Sequence, residues 1–494
     1  MQKPFPPLTK TLLAMLGPSV VFVALSINGG EMLLWPSLVA NFGLAILWPV
    51  SIILVFQYFV NIEIERYTLV TGKHIASALT ENKAWLALVF GVTALAAQVW
   101  PAWMTTAGNI IAVVAGVPAQ QERTVGLVLA VALLLLSLLL FRRPDVYKAL
   151  EKISRVGLTL SLLIILLVVV IKFDLALFWE GLKGLVNFGY LPQGLPRFDF
   201  VAALAYGGVA GILNLVQSEW IKDKGYGNSA ELSVSLTKSL DASSNTTQIE
   251  LESAESVSNF KRWFTAINKE HSLLFLGANV ITIFLLAYLG RLLLPLGTAQ
   301  GFGVLRAEIL TLNDTFPHLG TLFGVGSMLL FIMANLVILD ATGRLFARII
   351  APVAKRYNLP KLANHQIISA VTALVGVAIL LLSLVVPQFK QPFFLLVTSA
   401  CLGAFTMWLY PPLVLRLNHT LPAATRPSFL RSTMVALCSL GYGVVTLWAA
   451  SLFVPAWILV PVTILVVGFH ISIYVQIVKN ASSPKNSTSQ TSAR

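Results

Sequence analysis

Residues 12–38 read LLAMLGPSVVFVALSINGGEMLLWPSL, an apolar run long enough to cross a membrane but interrupted near its middle. The interruption is the polar patch Asn28-Gly29-Gly30-Glu31. Two adjacent glycines cost about 1 kcal/mol each relative to alanine inside a helix, and a carboxylate at the bilayer centre costs about 3 kcal/mol or more. The stretch therefore predicts a broken membrane helix that carries a functional acidic group.

The composition of the whole chain indicates a helical membrane protein. Of its 494 residues, 57% are apolar and 11% are charged, with a mean hydropathy of +0.81, whereas a soluble domain carries about 25% charged residues. This excludes a soluble enzyme with one small anchor, and the continuous apolar runs exclude an outer-membrane barrel, whose strands alternate. Twelve spans, numbered 1 to 12 in chain order, are predicted at 12–38, 43–62, 85–115, 124–141, 153–172, 199–221, 272–295, 319–343, 366–386, 392–416, 430–453 and 455–478. Little except Pro455 separates the last two, so eleven spans stay an alternative.

The basic residues are distributed very unevenly between the two sides of this layout. With a cytoplasmic N-terminus, only seven of the 34 lysines and arginines fall outside, namely Arg123, Lys172, Lys183, Arg197, Arg291, Arg306 and Lys390. An excess of Lys and Arg is typical of cytoplasmic loops. We therefore predict a multi-pass protein of the cell membrane with both termini cytoplasmic. The same sorting explains the net charge of +13 without a nucleic-acid partner, and no obligatory protein partner is predicted.

Span 6 repeats the interrupted pattern of span 1. It reads FVAALAYGGVAGILNLVQSEW over residues 200–220, so that three glycines precede Asn214, Gln217 and Glu219. A GxxxG packing motif would explain the glycines alone, but it does not explain the amides and the carboxylate that follow. Interrupted helices at matching positions in two halves are typical of inverted-repeat transporters with a binding site at the midplane.

The register of these interruptions predicts a five-plus-five organisation. A cytoplasmic segment at 1–11 precedes the first repeat at 12–172, and the second repeat covers 199–416. Two additional helices follow at 430–478, and a disordered cytoplasmic tail at 479–494. Residues 227–259 are rich in Ser, Thr, Asn and acids and contain few aromatic residues, a composition that predicts a disordered cytoplasmic loop.

Several motifs resemble the Nramp divalent-metal transporters. They are Gly17-Pro18 through Glu31, Phe42-Gly43-Leu44-Ala45-Ile46-Leu47-Trp48, Leu54-Val55-Phe56-Gln57-Tyr58 and Val70-Thr71-Gly72-Lys73. The resemblance covers roughly residues 12–80 and extends to span 6. It implies an all-α LeuT-type fold of eleven or twelve helices, with helices 1 and 6 broken at the midplane, and transport of a divalent cation by alternating access.

The chain departs from that family at both breaks. The family's first break reads Asp-Pro-Gly-Asn, whereas the carboxylate here has moved one turn to Glu31. The family's second break reads Met-Pro-His-Asn, and Gly211-Ile212-Leu213-Asn214 stands in its place. Span 6 thus lacks the thioether that suits soft metals, while carboxylates and amides suit harder ions. The resemblance therefore implies a divergent branch with selectivity shifted toward ions such as Mg²⁺ or Mn²⁺.

The predicted site combines both breaks. Asn28, Glu31 and Asn214 are the expected metal ligands, with Gln217 and the backbone around the breaks completing the substrate site at Gly29, Gly30, Ala210 and Gly211. Glu219, Asp340 and Arg344 are candidates for a gate or proton pathway, and the last two stand four residues apart as an ion pair would. The cation is expected as substrate and no cofactor is expected; proton coupling is open.

Two other classes of function stay open from the sequence. The same fold could carry an amino acid or another small organic solute coupled to Na⁺ or H⁺, with Glu31 meeting an amine. A receptor built on a transporter bundle would bind its ligand without flux. An enzyme is not expected, because no paired carboxylates, nucleophile–base set or nucleotide-binding motif occurs at convincing spacing.

Overall fold

The structure is a computed structural model that describes residues 3–9, 26–27, 30–81, 83–141, 146–209, 211–229, 249–250, 253–297, 299–358 and 364–482. It is a helical bundle. Its α-helices are Trp35–Phe42, Trp48–Thr71, Ile75–Thr80, Ala84–Gln98, Ala102–Val114, Ala119–Leu140, Val146–Ile171, Leu175–Gly184, Arg197–Ala205, Gln217–Asp223, Ala254–His271, Asn279–Leu293, Phe302–Thr315, Leu319–Arg356, His365–Leu382, Pro392–Leu409, Pro411–His419, Phe429–Ala450 and Ala456–Ser482. Shorter elements are the π-helices Gly30–Leu34 and Ser272–Ala278, the 3₁₀ helices Leu44–Leu47, Gly211–Val216, Pro387–Lys390 and Ala423–Thr425, and the paired two-residue strands Lys3–Pro4 and Ile249–Glu250.

Ten helical segments among the described residues are long and apolar enough to cross a membrane. They correspond to predicted spans 2–5 and 7–12, and the last two are separate helices joined by a turn at 451–454. Span 1 is represented by the helical pieces of its second half, Gly30–Leu34 and Trp35–Phe42, and span 6 by three short helical pieces. Proline accompanies the interruption of span 3 at 99–101 and the junction of the two helices in span 10, as its missing N–H predicts.

The two ends of the bundle are identified by contacts between loops. Residues 3–9, His74, Asp223 and the loop at 423–426 lie at one end, called here the N-terminal face. The opposite end, called the far face, joins other loops, as when the Asn41 amide donates to the carbonyl of Ala299. The helices between the two faces enclose the apolar core and the buried polar residues Glu31 and Asn214.

The predicted disordered loop at 227–259 needs correction at both ends. Asn228 and Ser229 are buried, and the Asn228 backbone N–H donates to the carbonyl of Leu69. The helix before span 7 begins at Ala254, capped by the Ser253 hydroxyl. This helix forms at the C-terminal end of the predicted loop because it has an apolar face to bury. Its apolar residues recur at helical spacing, namely Phe260, Trp263, Phe264 and Ile267. Residues 230–248, 251–252 and 483–494 lie outside the described part, as does most of the predicted tail.

The N-terminal segment docks on this helix, Ala254–His271. Phe5 is fully buried, and its ring meets Phe260 edge to face at a centroid distance of 6.1 Å. The Phe5 backbone N–H donates to the Ser256 hydroxyl at 2.9 Å, and its carbonyl accepts from the Asn259 amide at 2.9 Å. The contact is therefore built from both apolar burial and satisfied backbone groups.

Replacing Phe5 with Ala is expected to lower the thermal stability of the detergent-purified protein. Truncating a buried phenylalanine removes apolar contacts and typically costs about 3–5 kcal/mol in a soluble core. Thr9→Ala, at an exposed position of the same segment, is the matched control and should leave Tm unchanged. Equal Tm values for both variants would show that the segment does not dock.

On the far face, helix Phe302–Thr315 carries a buried acidic residue. Glu308 is 2% exposed and lies on the helix side that also buries Val304, Leu305 and Leu312. Burial raises the pKa of the Glu308 carboxyl to about 8, because its charged form loses hydration in the folded protein. The group is thus mostly protonated at neutral pH in the folded protein.

Glu308→Gln is expected to stabilise the protein at high pH and to have little effect at low pH. In the wild type the unfolded chain releases this proton near the ordinary value of 4.5 while the folded protein retains it to about 8. Below pH 4.5 the carboxyl is protonated in both the folded and the unfolded protein, and it causes no loss of stability. Above pH 4.5 the free energy of unfolding falls by ~1.4 kcal/mol per pH unit until the folded pKa is reached. Thermal unfolding at about pH 5 and about pH 8 tests this. Asp314→Asn, exposed on the same helix, should show no such pH-dependent gain.

Candidate cation site

The described part of span 1 meets span 6 with almost no space between the backbones. A Cβ placed on Gly30 would lie 2.0 Å from the carbonyl oxygen of Tyr206 and 2.5 Å from the Tyr206 Cβ. Gly30 opens the π-helix Gly30–Leu34, all five residues of which are buried. Glycine is required at position 30 because no side chain fits between the backbones of spans 1 and 6.

Glu31 follows directly and is fully buried. Its Oε2 accepts a hydrogen bond from the Thr282 hydroxyl of span 7. Its Oε1 has no hydrogen-bond partner among the described residues. A buried carboxylate with one unsatisfied oxygen is costly unless a proton or a cation completes it.

A second contact joins spans 1 and 7 beside Glu31. The Ser26 hydroxyl donates to Asn279 Oδ1 at 2.6 Å, and the Asn279 amide donates to the carbonyl of Phe275 at 2.6 Å. Asn279 and Thr282 are three residues apart, so both lie on the helix face that is turned toward span 1. Span 7 had not been predicted to contribute to the site.

The middle of span 6 departs from regular α-helix between its first and last pieces. Residues 206–209 form turns and bends, and Gly211 has a φ of +59°. A Cβ on Gly211 would lie 2.6 Å from the Thr406 hydroxyl and 2.8 Å from the Gly403 carbonyl of span 10. Glycine is thus favoured at 211 by both its backbone conformation and this close approach. Ala210 lies outside the described residues, as do Asn28 and Gly29.

Asn214 and Gln217 lie further along span 6, and Asn214 faces the end of span 10. The Asn214 amide donates to the Tyr410 hydroxyl at 3.0 Å and to the Met407 sulfur at 3.2 Å. Asn214 Oδ1 and both amide atoms of Gln217 are buried without a partner in the described part of the chain. The sequence did not predict Met407 as part of the site, because span 10 is apolar throughout and methionine is common in an apolar core.

The predicted ligands therefore fall into two groups. Glu31 bonds to span 7, whereas Asn214 bonds to span 10, and no hydrogen bond between described residues joins Glu31 to Asn214 or Gln217. Gly30 and Gly211 lie at close backbone approaches. Glu31 and Asn214 thus have their hydrogen-bond partners on different spans, and the coordination shell expected from the sequence stays a prediction.

Gln57 of span 2 is another polar group at the break of span 6. Its amide donates to the Tyr442 hydroxyl at 2.7 Å, while its Oε1 has no partner among the described residues. A Cβ on Gly208 would lie 2.5 Å from that oxygen. A glutamine within an apolar span was a detectable signal for such a position.

The predicted gate residues meet at the N-terminal face. Glu219 accepts from Arg348 at 3.0 and 3.3 Å and lies 2.6 Å from His74 Nδ1. Arg344 pairs with Asp340 at 2.8 Å, the predicted i,i+4 contact, and with Asp223 at 3.0 Å. Burial lowers the pKa of His74, so the positive charge opposite Glu219 comes chiefly from Arg348. These pairs connect spans 6 and 8 and the loop after span 2.

A cavity of about 1100 Å³ opens at the far face. Asn109, Glu122, Asp199, Arg306 and Cys401 are among the residues that line it, whereas Glu31 and Asn214 are not. The Tyr206 hydroxyl of span 6 lies 2.5 Å from the Ser399 hydroxyl, and the Tyr206 ring packs edge-on against Trp103. Glu31 and Asn214 are fully buried and are thus separate from this cavity.

Comparison with known proteins identifies the fold. No protein-family model and no curated protein matches the sequence. Among solved structures, a single-substitution variant of the manganese transporter of Eremococcus coleocola matches with a TM-score of 0.64 and 14% identity, covering 97% of each chain. The same transporter in complex with an aromatic bis-isothiourea substituted compound matches with a TM-score of 0.63 and 15% identity, again over 97% of each chain. The predicted fold class, an all-α multi-pass membrane protein of LeuT type, is confirmed.

Proposed function

We propose that this chain is a secondary-active transporter that moves a divalent metal cation by alternating access. The observation that carries the proposal is Glu31, a fully buried carboxylate beside the predicted break of span 1, with Oε1 unpartnered among the described residues. A cation bound there would neutralise a charge that the apolar interior otherwise makes costly. The solved structures that share the fold are of a manganese transporter, which supports a metal substrate.

The distribution of openings supports alternating access. Ion pairs between Arg348 and Glu219 and between Arg344 and Asp223 connect the helices at the N-terminal face, while the cavity lies at the far face. Passage to the N-terminal side would require these pairs to separate. Glu219, Asp340 and Arg344 are therefore proposed as gate residues.

The finer assignments follow from the residues. The excess of Lys and Arg in the loops of the N-terminal face supports its location on the cytoplasmic side of a cell membrane, and the far-face cavity would then open outside. Oxygen ligands around Glu31 favour hard cations such as Mg²⁺ or Mn²⁺. A protonated Glu31 would be the alternative neutral form, which would make proton exchange the coupling step. Asn28 and the backbone at Gly29 and Ala210 are proposed to complete the substrate site.

Uptake into proteoliposomes tests the proposal. Mn²⁺ influx should be saturable, and excess Mg²⁺ should compete with it. A proton gradient that accelerates influx would support coupling. Absence of flux for Mn²⁺, Mg²⁺ and Ca²⁺, combined with uptake that amino acids compete for, would overturn the metal assignment in favour of an organic solute.

A further inference from the structure

We infer that the transported cation binds between spans 1 and 7, at Glu31, Thr282 and Asn279, rather than between spans 1 and 6. The inference rests on the proposed function and specifies its site. Its basis is that Glu31 and Ser26 of span 1 both contact one polar face of span 7, while Asn214 of span 6 contacts span 10.

The Thr282 hydroxyl could give up its hydrogen bond to Glu31 and coordinate a cation instead. Its single hydroxyl hydrogen can serve Glu31, but the carbonyl of Ala278, one turn earlier, lies 2.9 Å from the same oxygen. Rotation of the hydroxyl toward that carbonyl would satisfy its hydrogen within span 7. Both Glu31 oxygens and the Thr282 oxygen lone pairs would then be available to a cation without any movement of the backbone.

Asn279 presents its oxygen in a fixed direction. Its amide nitrogen is held by the carbonyl of Phe275 at 2.6 Å, which leaves Oδ1 facing span 1, where it accepts from Ser26. An amide oxygen has two lone pairs, so this contact leaves one for a cation. Asn279 and Thr282 are both at most 3% exposed, and the pair is thus sequestered from water.

The backbone on both sides of the site is irregular in the same way. Glu31 lies in the π-helix Gly30–Leu34, and Asn279 directly follows the π-helix Ser272–Ala278. π-Helical turns inside α-helices are rare and occur frequently at functional sites. The position of Glu31 in one π-helix and of Asn279 next to the other is a second observation, independent of the side-chain contacts, in favour of a binding site.

The ligand chemistry indicates a hard divalent cation. The cluster offers carboxylate, hydroxyl and amide oxygens, the set that suits Mg²⁺, Ca²⁺ and Mn²⁺. The sulfur of Met407 lies in the other group, where the Tyr410 hydroxyl already donates to it at 3.0 Å. A soft ion such as Cd²⁺ should therefore gain little at Glu31 over a hard one.

Binding of Mn²⁺ to the detergent-purified full chain, measured by calorimetry, tests the inference. Thr282→Val keeps the side-chain shape but removes the hydroxyl, and its Kd should rise at least about tenfold. Thr282→Ser should restore most of the affinity. Thr372→Val is the matched control, because Thr372 is also buried and, within the described part of the chain, its hydroxyl donates only to Ile368 of the same span; the Kd of this variant should equal that of the wild type.

Asn214→Leu distinguishes the two locations. If the cation binds between spans 1 and 7, Kd should rise less in Asn214→Leu than in Thr282→Val. Mg²⁺ should also compete with Mn²⁺ for the wild-type protein better than Cd²⁺ does. Loss of binding in Asn214→Leu with wild-type affinity in Thr282→Val would overturn the inference and leave the proposed function standing. Failure of the wild type to bind any of these ions would instead refute the proposed function.

Discussion

Glu31→Gln is expected to reduce Mn²⁺ flux into proteoliposomes to the level of protein-free vesicles. Glutamine keeps the shape of glutamate and can still accept the hydrogen bond from Thr282, but it carries no charge. A divalent cation would then have to leave water without an anionic partner, which costs several kcal/mol in a buried site. A loss of at least about 100-fold follows, since each 1.4 kcal/mol is a factor of about ten.

The same substitution should leave the folded protein at least as stable as the wild type. Glu31 is buried, with Oε1 unpartnered among the described residues, and removing an uncompensated charge is often neutral or stabilising. We therefore expect Tm in detergent to be unchanged or higher. Added Mn²⁺ should raise Tm in the wild type and have no such effect in the variant, because a ligand stabilises only the state that binds it.

Glu180→Gln is the matched control for this experiment. Glu180 is an exposed acid on the surface helix Leu175–Gly184 of the far face, so its neutralisation changes the net charge by the same amount. Flux and Mn²⁺-dependent stabilisation should equal those of the wild type. Undiminished flux through Glu31→Gln would remove the central support of the metal-transport proposal, whatever the control shows.

Much of the architecture was accessible from the sequence because lipid imposes strict rules on it. A span must be apolar and about 20 residues long, so ten of the predicted spans reappear as continuous or kinked helices. Glycines and polar residues are costly inside a span, and so Gly30, Glu31 and Gly211 stood out. The structure places both glycines where a side chain would collide with a neighbouring helix.

The partners of these residues could not be predicted in the same way. Thr282 gave no signal, since a threonine in a membrane helix can satisfy its hydroxyl with a carbonyl of its own helix, as its contact with Ala278 illustrates. Met407 is ordinary among apolar residues, although its sulfur reaches Asn214. Which helix faces which is decided by packing over long sequence separations, and one sequence contains no direct measure of that.

Gly30→Ala is expected to have the largest effect on stability of any single methyl addition near the site. The new Cβ would meet the carbonyl oxygen of Tyr206 at 2.0 Å, far inside van der Waals contact. The obstacle is backbone rather than a movable side chain, so span 1 and span 6 would have to separate. Overpacking of a core typically costs about 1–3 kcal/mol even where side chains can adjust, and we expect at least the upper value here.

Gly468→Ala provides the contrast, because no heavy atom lies within 4 Å of the Cβ it would add. It lies within helix Ala456–Ser482, where alanine is favoured over glycine by about 1 kcal/mol in helix propensity. Thermal unfolding in detergent should therefore give a lower Tm for Gly30→Ala and an equal or higher Tm for Gly468→Ala. Because the Gly30 contact also fixes where Glu31 points, any folded Gly30→Ala protein should bind Mn²⁺ weakly. A stable variant with normal Mn²⁺ affinity would mean that spans 1 and 6 do not cross at this residue.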